Sequence, residues 1–198
     1  LPEAEPLYRK ALALLGQHGL VGQKLSWVHT HFGDWWLDQG RTREALAEYE
    51  QALRAAEPTG DQQHIAWILV HMSDADCAAG LPHRALDRLA EAQNVARASD
   101  DAGSEAWISV HRSVALRLAG RFGEAERVLR TALGYYESNH DVQGVAWALR
   151  HLGDLYRAWQ RPVEATDAYR QLRTVALHLG NSRLSKLAIS VLAELDES

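Results

Sequence analysis

The stretch AWALRHLGDLYRAWQ, residues 146–160, contains the spacing that decides the fold. Its Trp147 and His151 stand four residues apart, so they share one face of a predicted helix. The same pair occurs three times earlier, at intervals of 40 residues: Trp27 with His31, Trp67 with His71, and Trp107 with His111. A constant period of this length predicts an array of similar helical repeats.

Each repeat is predicted to be a hairpin of two antiparallel helices. In the fourth repeat, the first helix carries an apolar stripe at helical spacing, formed by Val145, Leu149, Leu152 and Tyr156. Three other kinds of residue recur at a fixed offset, because a hairpin needs a helix stop, a close helix contact and an N-cap. They are the glycines Gly40, Gly80 and Gly120, the alanines Ala45, Ala85, Ala125 and Ala165, and the caps Asp61, Asp101, Asp141 and Asn181.

This pattern resembles the tetratricopeptide repeat (TPR) family. The resemblance is carried by Phe32, Gly33, Trp36, Gly40, Ala45, Tyr49 and Ala52 in the first repeat, and by Leu152, Gly153, Tyr156, Ala165 and Tyr169 in the fourth. The period exceeds the roughly 34 residues of typical TPR units. It is similar to the longer repeats of Leu-Gly-Asn proteins, kinesin light chains and the TPR arrays of bacterial regulators. The resemblance implies an all-α, right-handed solenoid of antiparallel helix hairpins.

We predict a single TPR-like array over residues 1–198. It consists of a half repeat at 1–20, full repeats at 21–60, 61–100, 101–140 and 141–180, and a C-terminal capping helix at 181–198. A half repeat at each end is expected of a fragment excised from a longer solenoid.

Composition argues against several classes of function. The net charge of −5, with acidic residues spread along the chain, disfavours direct nucleic-acid binding. No apolar run approaches the roughly 18 residues of a membrane span, and one cysteine cannot form an internal disulfide, so we expect a cytoplasmic protein. Phosphate-loop, nucleophile-elbow and zinc-protease motifs are absent from the sequence. We therefore predict neither an enzyme nor a cofactor or metal site.

By the resemblance, the first helices of the repeats line a concave face, and the Trp/His pairs point into it. Indoles offer apolar and cation–π surfaces, imidazoles bond to peptide backbone, and carboxylates attract basic side chains. We therefore predict that this face binds the ligand. Its predicted residues are Trp27, Trp67, Trp107, Trp147, His31, His71, His111, His151, Asp34, Asp74, Asp154, Arg117, Arg150 and Arg157.

Three functions fit these residues. The first is recognition of a protein or peptide, including another domain of the same full-length chain, by the sensing or regulatory arm of a bacterial regulator. The second is a structural module that forms homo-oligomers and packs its indoles away. The third is a small-molecule sensor that binds its ligand through the His and Asp side chains of this face.

The histidines are also open to a structural interpretation. His31 with Asp34, His71 with Asp74, and His151 with Asp154 are spaced three apart on one helix, where such pairs interact. Pairs across repeats, from Asp34 to His71 and from Asp74 to His111, would also order the face without touching a ligand.

The second and third repeats depart from the pattern. Asp76 takes the place of Trp36 and Tyr156, in a slot that is otherwise apolar. A buried carboxylate without a cation is costly. We predict that Arg112, on the next first helix, pairs with Asp76.

Overall fold

The computed structural model describes residues 4–196 of the chain. Within them lie ten α-helices, one short 3-10 helix and no β-strand, which confirms the predicted all-α class. None of these helices is both long enough and apolar enough to cross a membrane. The chain divides into two compact units, Leu1–Asp101 and Ala102–Ser198, called here the first and second unit.

The first unit contains two complete helix hairpins preceded by a single helix. The helices are α1 (Ala4–Gln17), α2 (Gln23–Asp38), α3 (Thr42–Ala56), α4 (Gln62–Ala78) and α5 (Pro82–Ala98), with the 3-10 turn Glu57–Thr59 before α4. α2 packs mainly on α3, and α4 packs mainly on α5. α3 and α4 join the two hairpins.

The second unit repeats this arrangement and ends in a single helix. Its helices are α6 (Ala102–Leu118), α7 (Phe122–Ser138), α8 (Val142–Ala158), α9 (Pro162–His178) and α10 (Ser182–Asp196). α6 packs on α7, α8 packs on α9, and α10 packs on α9. Ala188, Val191 and Leu192 of α10 join a core that includes Tyr169 and Leu172 of α9.

The predicted glycine helix stops are present, and so are the predicted caps Asp61 and Asp141. Gly40, Gly80 and Gly120 follow first helices with φ of 72°, 74° and 73°, a conformation that costs glycine little. The Asp61 and Asp141 side chains accept the backbone N–H groups of His64 and Gly144 at 3.0 and 2.9 Å. These contacts satisfy amides that a helix start leaves unpaired.

One pair of residues sets the closeness of each hairpin. A Cβ atom added to Gly33 would lie 2.5 Å from the Tyr49 ring, and one added to Gly153 would lie 2.7 Å from the Tyr169 ring. Both tyrosines are fully buried. The two other hairpins use a larger first-helix residue with a smaller second-helix residue, namely Ser73 with Leu89 and Ser113 with Leu129.

The interior of the α4–α5 hairpin contains a buried ion pair. Asp76 is 0% exposed, and its Oδ2 accepts a hydrogen bond from Arg88 Nε at 2.6 Å. Arg84 Nε lies 3.6 Å from Oδ1. The buried carboxylate therefore obtains cations from α5 of its own hairpin. The predicted pair with Arg112, which belongs to the second unit, stays a prediction.

Candidate functional site

The first stripe, on α2 and α4, comprises Trp27, His31, Asp34, Trp67, His71 and Asp74. Its two indoles lie against each other, with ring centroids 4.9 Å apart. His31 is 5.6 Å from the Trp27 ring, and His71 is 4.2 Å from the Trp67 ring. Trp27 nevertheless remains 40% exposed. The indoles thus combine two roles that sequence reasoning treated as alternatives, since they stabilise the stack of helices and leave aromatic surface open to solvent.

His64 is a member of this aromatic cluster that sequence reasoning missed. Its ring stacks on Trp27 with centroids 4.6 Å apart, and it is only 4% exposed. The Ser26 hydroxyl donates to the Ala52 carbonyl at 2.8 Å, so its oxygen accepts from His64 Nε2 at 2.7 Å. His64 Nδ1 is buried without a hydrogen-bond partner among the described residues, which identifies the neutral Nε2–H tautomer. Burial accordingly lowers the pKa of His64.

Asp34 connects the two first helices of this unit. Its Oδ1 accepts a hydrogen bond from the Tyr49 hydroxyl at 2.8 Å and lies 2.8 Å from His71 Nδ1. His31 Nδ1 is 3.4 Å from Oδ2. Burial alone would raise the pKa of Asp34, but the contact with His71, together with Tyr49 and His31, lowers it below its ordinary value. The predicted pair of Asp34 with His71 across repeats is therefore confirmed, as is the His31–Asp34 pair within α2.

The second stripe, on α6 and α8, comprises Trp107, His111, Trp147, His151, Asp154, Arg117, Arg150 and Arg157. Here His111 contacts both indoles, with centroid distances of 4.9 Å to Trp107 and 5.0 Å to Trp147. His151 lies 5.4 Å from the Trp147 ring. These ring pairs meet edge to face, a geometry that places positive ring edges on negative ring faces.

The carboxylate of the second stripe has an arginine nearby. Asp154 accepts a short hydrogen bond from the Tyr169 hydroxyl, as Asp34 does from Tyr49. Arg150 Nε lies 3.9 Å from Asp154, and Arg157 opposes the rise in the pKa of Tyr169 that burial and Asp154 cause. Arg157 also reaches Glu194 of α10 at 3.0 Å, so one predicted site residue is partly engaged in joining helices.

Acidification is expected to destabilise the second unit through His151. Burial is the main cause that lowers the pKa of His151 to about 4, and Asp154 opposes that shift. An unfolded histidine titrates near 6.5. Between these two pKa values the unfolded state binds more protons than the folded state does. The stability that neutral His151 contributes is therefore present above pH about 6.5 and is lost as the pH falls toward 4. We expect a loss of about 1–2 kcal/mol in the free energy of unfolding between pH 7 and pH 5 from this group.

Urea unfolding at pH 7 and pH 5 measures this effect. The His151→Gln variant, which cannot gain the proton, is expected to lose less stability over the same interval than the native chain. Equal losses in the two proteins would contradict a role for His151.

Neither stripe gathers the ligands of a metal centre. Within residues 4–196, no group of three or more His, Cys, Asp or Glu side chains is placed to hold a metal ion. The side chains of the stripes can offer a ligand stacking, cation–π contacts, hydrogen bonds and ion pairs.

Comparisons with known proteins bear on the fold. No protein-family model matches the chain, and no curated protein sequence matches it. Many solved structures are similar, and three of them are described here. A Rap protein complexed with Competence and Sporulation Factor aligns over 89% of this chain at 14% identity, with a TM-score of 0.77. A Signal Transduction ATPase with Numerous Domains (STAND) from Pyrococcus horikoshii, with a tetratricopeptide repeat sensor, aligns over 96% at 16% identity, with a TM-score of 0.75.

The third structure, BtubC from P. vanneervenii, aligns over 99% of this chain at 16% identity, with a TM-score of 0.66. The chain spans 49% of the Rap protein, 28% of the STAND protein and 89% of BtubC. Identities this low establish the fold alone. The predicted resemblance is confirmed at that level: the chain has a tetratricopeptide-like fold of paired helices.

Proposed function

We propose that the chain binds a protein or peptide along its first-helix stripes, with Trp27, Trp67, Trp107 and Trp147 as anchors. The observation that carries this proposal is the partial exposure of the Trp/His surface of the first stripe, above all Trp27 at 40%. Exposed aromatic surface at a shared face is typical of interaction sites, and Trp is enriched among the residues that dominate binding energy.

We further propose that this module is the sensing or regulatory arm of a larger cytoplasmic regulator of a bacterial type. The similar structures support this, since one is a complex with Competence and Sporulation Factor and another carries a tetratricopeptide repeat sensor. In this proposal the chain recognises its partner and performs no chemistry on it.

Selection of displayed random peptides on the whole 198-residue chain tests the proposal. For a selected peptide, Trp27→Ser is expected to weaken binding by at least about tenfold, because loss of an aromatic anchor costs about 2 kcal/mol. Fluorescence anisotropy of the labelled peptide measures the dissociation constant.

Trp159→Ser is the matched control, because Trp159 lies off the stripes and packs on Phe122, 5.8 Å away. Circular dichroism establishes that both variants fold. Peptides that bind both variants as well as the native chain would contradict the proposal. A mass that rises with concentration in the native chain, and not in Trp27→Ser, would instead support self-association.

A further inference from the structure

Asp34 and Asp38 form the acidic end of α2, beside the Tyr49 hydroxyl. That hydroxyl donates to Asp34 Oδ1 at 2.8 Å. Besides burial, the negative charges of Asp34, Asp74 and Asp38 all raise the pKa of Tyr49. Asp38 follows Asp34 by one helical turn on the same face of α2. It is exposed, and its side chain has no hydrogen bond or ion pair with another described residue. The end of the first stripe beyond Trp27 is therefore acidic.

The second unit contains a similar Tyr/Asp pair with its own cations. Arg150 of α8 lies 3.9 Å from Asp154, and the charge of Arg157, also on α8, counters the rise in the pKa of Tyr169. In the two repeats of the first unit, the positions equivalent to Arg157 are Leu37 and Cys77, and those equivalent to Arg150 are Thr30 and Val70. The first unit thus keeps the Tyr/Asp pair without the arginines that accompany it in the second.

Two positive side chains near this end of the first unit are engaged elsewhere. Arg41 bonds to Glu44 and lies over the Trp36 ring at 4.0 Å. Arg88 is bound to buried Asp76. α4 contains no Lys or Arg, and the one on α2 is Lys24, in its first turn. Among the contacts described above, the only basic nitrogens that reach Asp34 belong to the imidazoles of His31 and His71.

We propose that the first stripe recognises an apolar side chain followed or preceded by a basic one, with the Lys or Arg of the partner peptide bound at Asp34 and Asp38. The inference rests on the proposed function and specifies its ligand. The indoles of Trp27 and Trp67 receive the apolar side chain. Asp34 lies seven residues beyond Trp27, which is about 10 Å along a helix. Three residues of extended peptide span about the same distance.

Titration of the ¹⁵N-labelled 198-residue chain with short blocked peptides tests the inference. The probes are Ac-Leu-Ala-Ala-Arg-NH2, the reversed order Ac-Arg-Ala-Ala-Leu-NH2, and the same two peptides with neutral citrulline in place of arginine. The readout is the indole N–H signals of Trp27 and Trp67, assigned with Trp27→Phe and Trp67→Phe. We expect at least one arginine peptide to move both signals, and its citrulline counterpart to bind about fivefold more weakly, as for a partly exposed ion pair.

Asp38→Asn is expected to weaken the arginine peptide about threefold and to leave the citrulline peptide unchanged. Asp87→Asn, on exposed α5 surface of the same unit, is the matched control and is expected to leave both unchanged. Equal binding of arginine and citrulline peptides, equal effects of the two substitutions, or no movement of the two signals up to about 10 mM peptide would overturn the inference. Signals that move with protein concentration alone would identify a second copy of the chain as the occupant, which also overturns it.

The peptides selected in the test of the proposed function separate the two ideas. Peptides that bind tightly, lose affinity in Trp27→Ser and contain neither Lys nor Arg would overturn the cationic subsite. The proposal of peptide binding would remain. Failure to select any Trp27-dependent peptide would remove the proposed function itself.

Discussion

Arg88→Met is expected to lower the free energy of unfolding of the first unit by about 3–5 kcal/mol, since it leaves a buried carboxylate without its main cation. Asp76 is 0% exposed, and the Arg88 guanidinium is its closest partner at 2.6 Å. Arg84 offers little compensation, because its nitrogen is 3.6 Å from the carboxylate and its side chain is 54% exposed. The substitution also removes the contact of Arg88 with the Met72 sulfur at 3.4 Å.

The double variant Asp76→Leu/Arg88→Met distinguishes a charge effect from a packing effect. Leucine occupies the equivalent slot in the third repeat, where Leu116 is 1% exposed. Two apolar residues of similar volume are expected to restore most of the lost stability, because replacing a buried pair is often neutral. Urea unfolding gives the energies, and amide exchange in α4 and α5 reports on this hairpin separately. A double variant that is as unstable as Arg88→Met would contradict the explanation.

The sequence predicts features that recur from repeat to repeat, because each recurrence points to the same structural requirement. The helix stops at Gly40 and Gly80, and the N-caps at Asp61 and Asp141, lie where the period places them. The contact of Asp34 with His71 was also predictable, since stacking repeats brings equivalent faces together. The fold class follows from these features without a structure.

The 40-residue period cannot reveal features that occur in only one repeat. His64 stacks on Trp27, yet the equivalent positions in the other repeats hold Lys24, Ser104 and Gly144. Arg88 neutralises Asp76, and its equivalents are Glu48, Val128 and Ala168. Such residues depend on three-dimensional neighbours within one hairpin. Their roles emerged only from distances and burial, and the acidic end of the first stripe emerged in the same way.

Gly153→Ser is the second substitution with a large expected effect. The new Cβ would lie 2.7 Å from the Tyr169 ring, which is fully buried and cannot turn away without losing its bond to Asp154. Overpacking of this kind costs about 1–3 kcal/mol, and we expect the upper end of that range. Thermal and urea unfolding measure the loss. Gly134→Ser is the control in the same unit, because a Cβ there meets no atom within 4 Å, and it is expected to be neutral or slightly stabilising.

Tyr169→Leu is expected to rescue Gly153→Ser even though it destabilises the native chain. The second and third repeats contain this combination, Ser73 with Leu89 and Ser113 with Leu129, and all four side chains are buried. The serine hydroxyls donate to the carbonyls of Val70 and Val110 at 2.6 Å, so a serine in this slot leaves no unpaired polar group. The double variant should therefore lose at least about 1 kcal/mol less than the sum of the single losses. Additive losses would mean that the glycine and the tyrosine are selected independently, and that hairpin closeness is set by other residues.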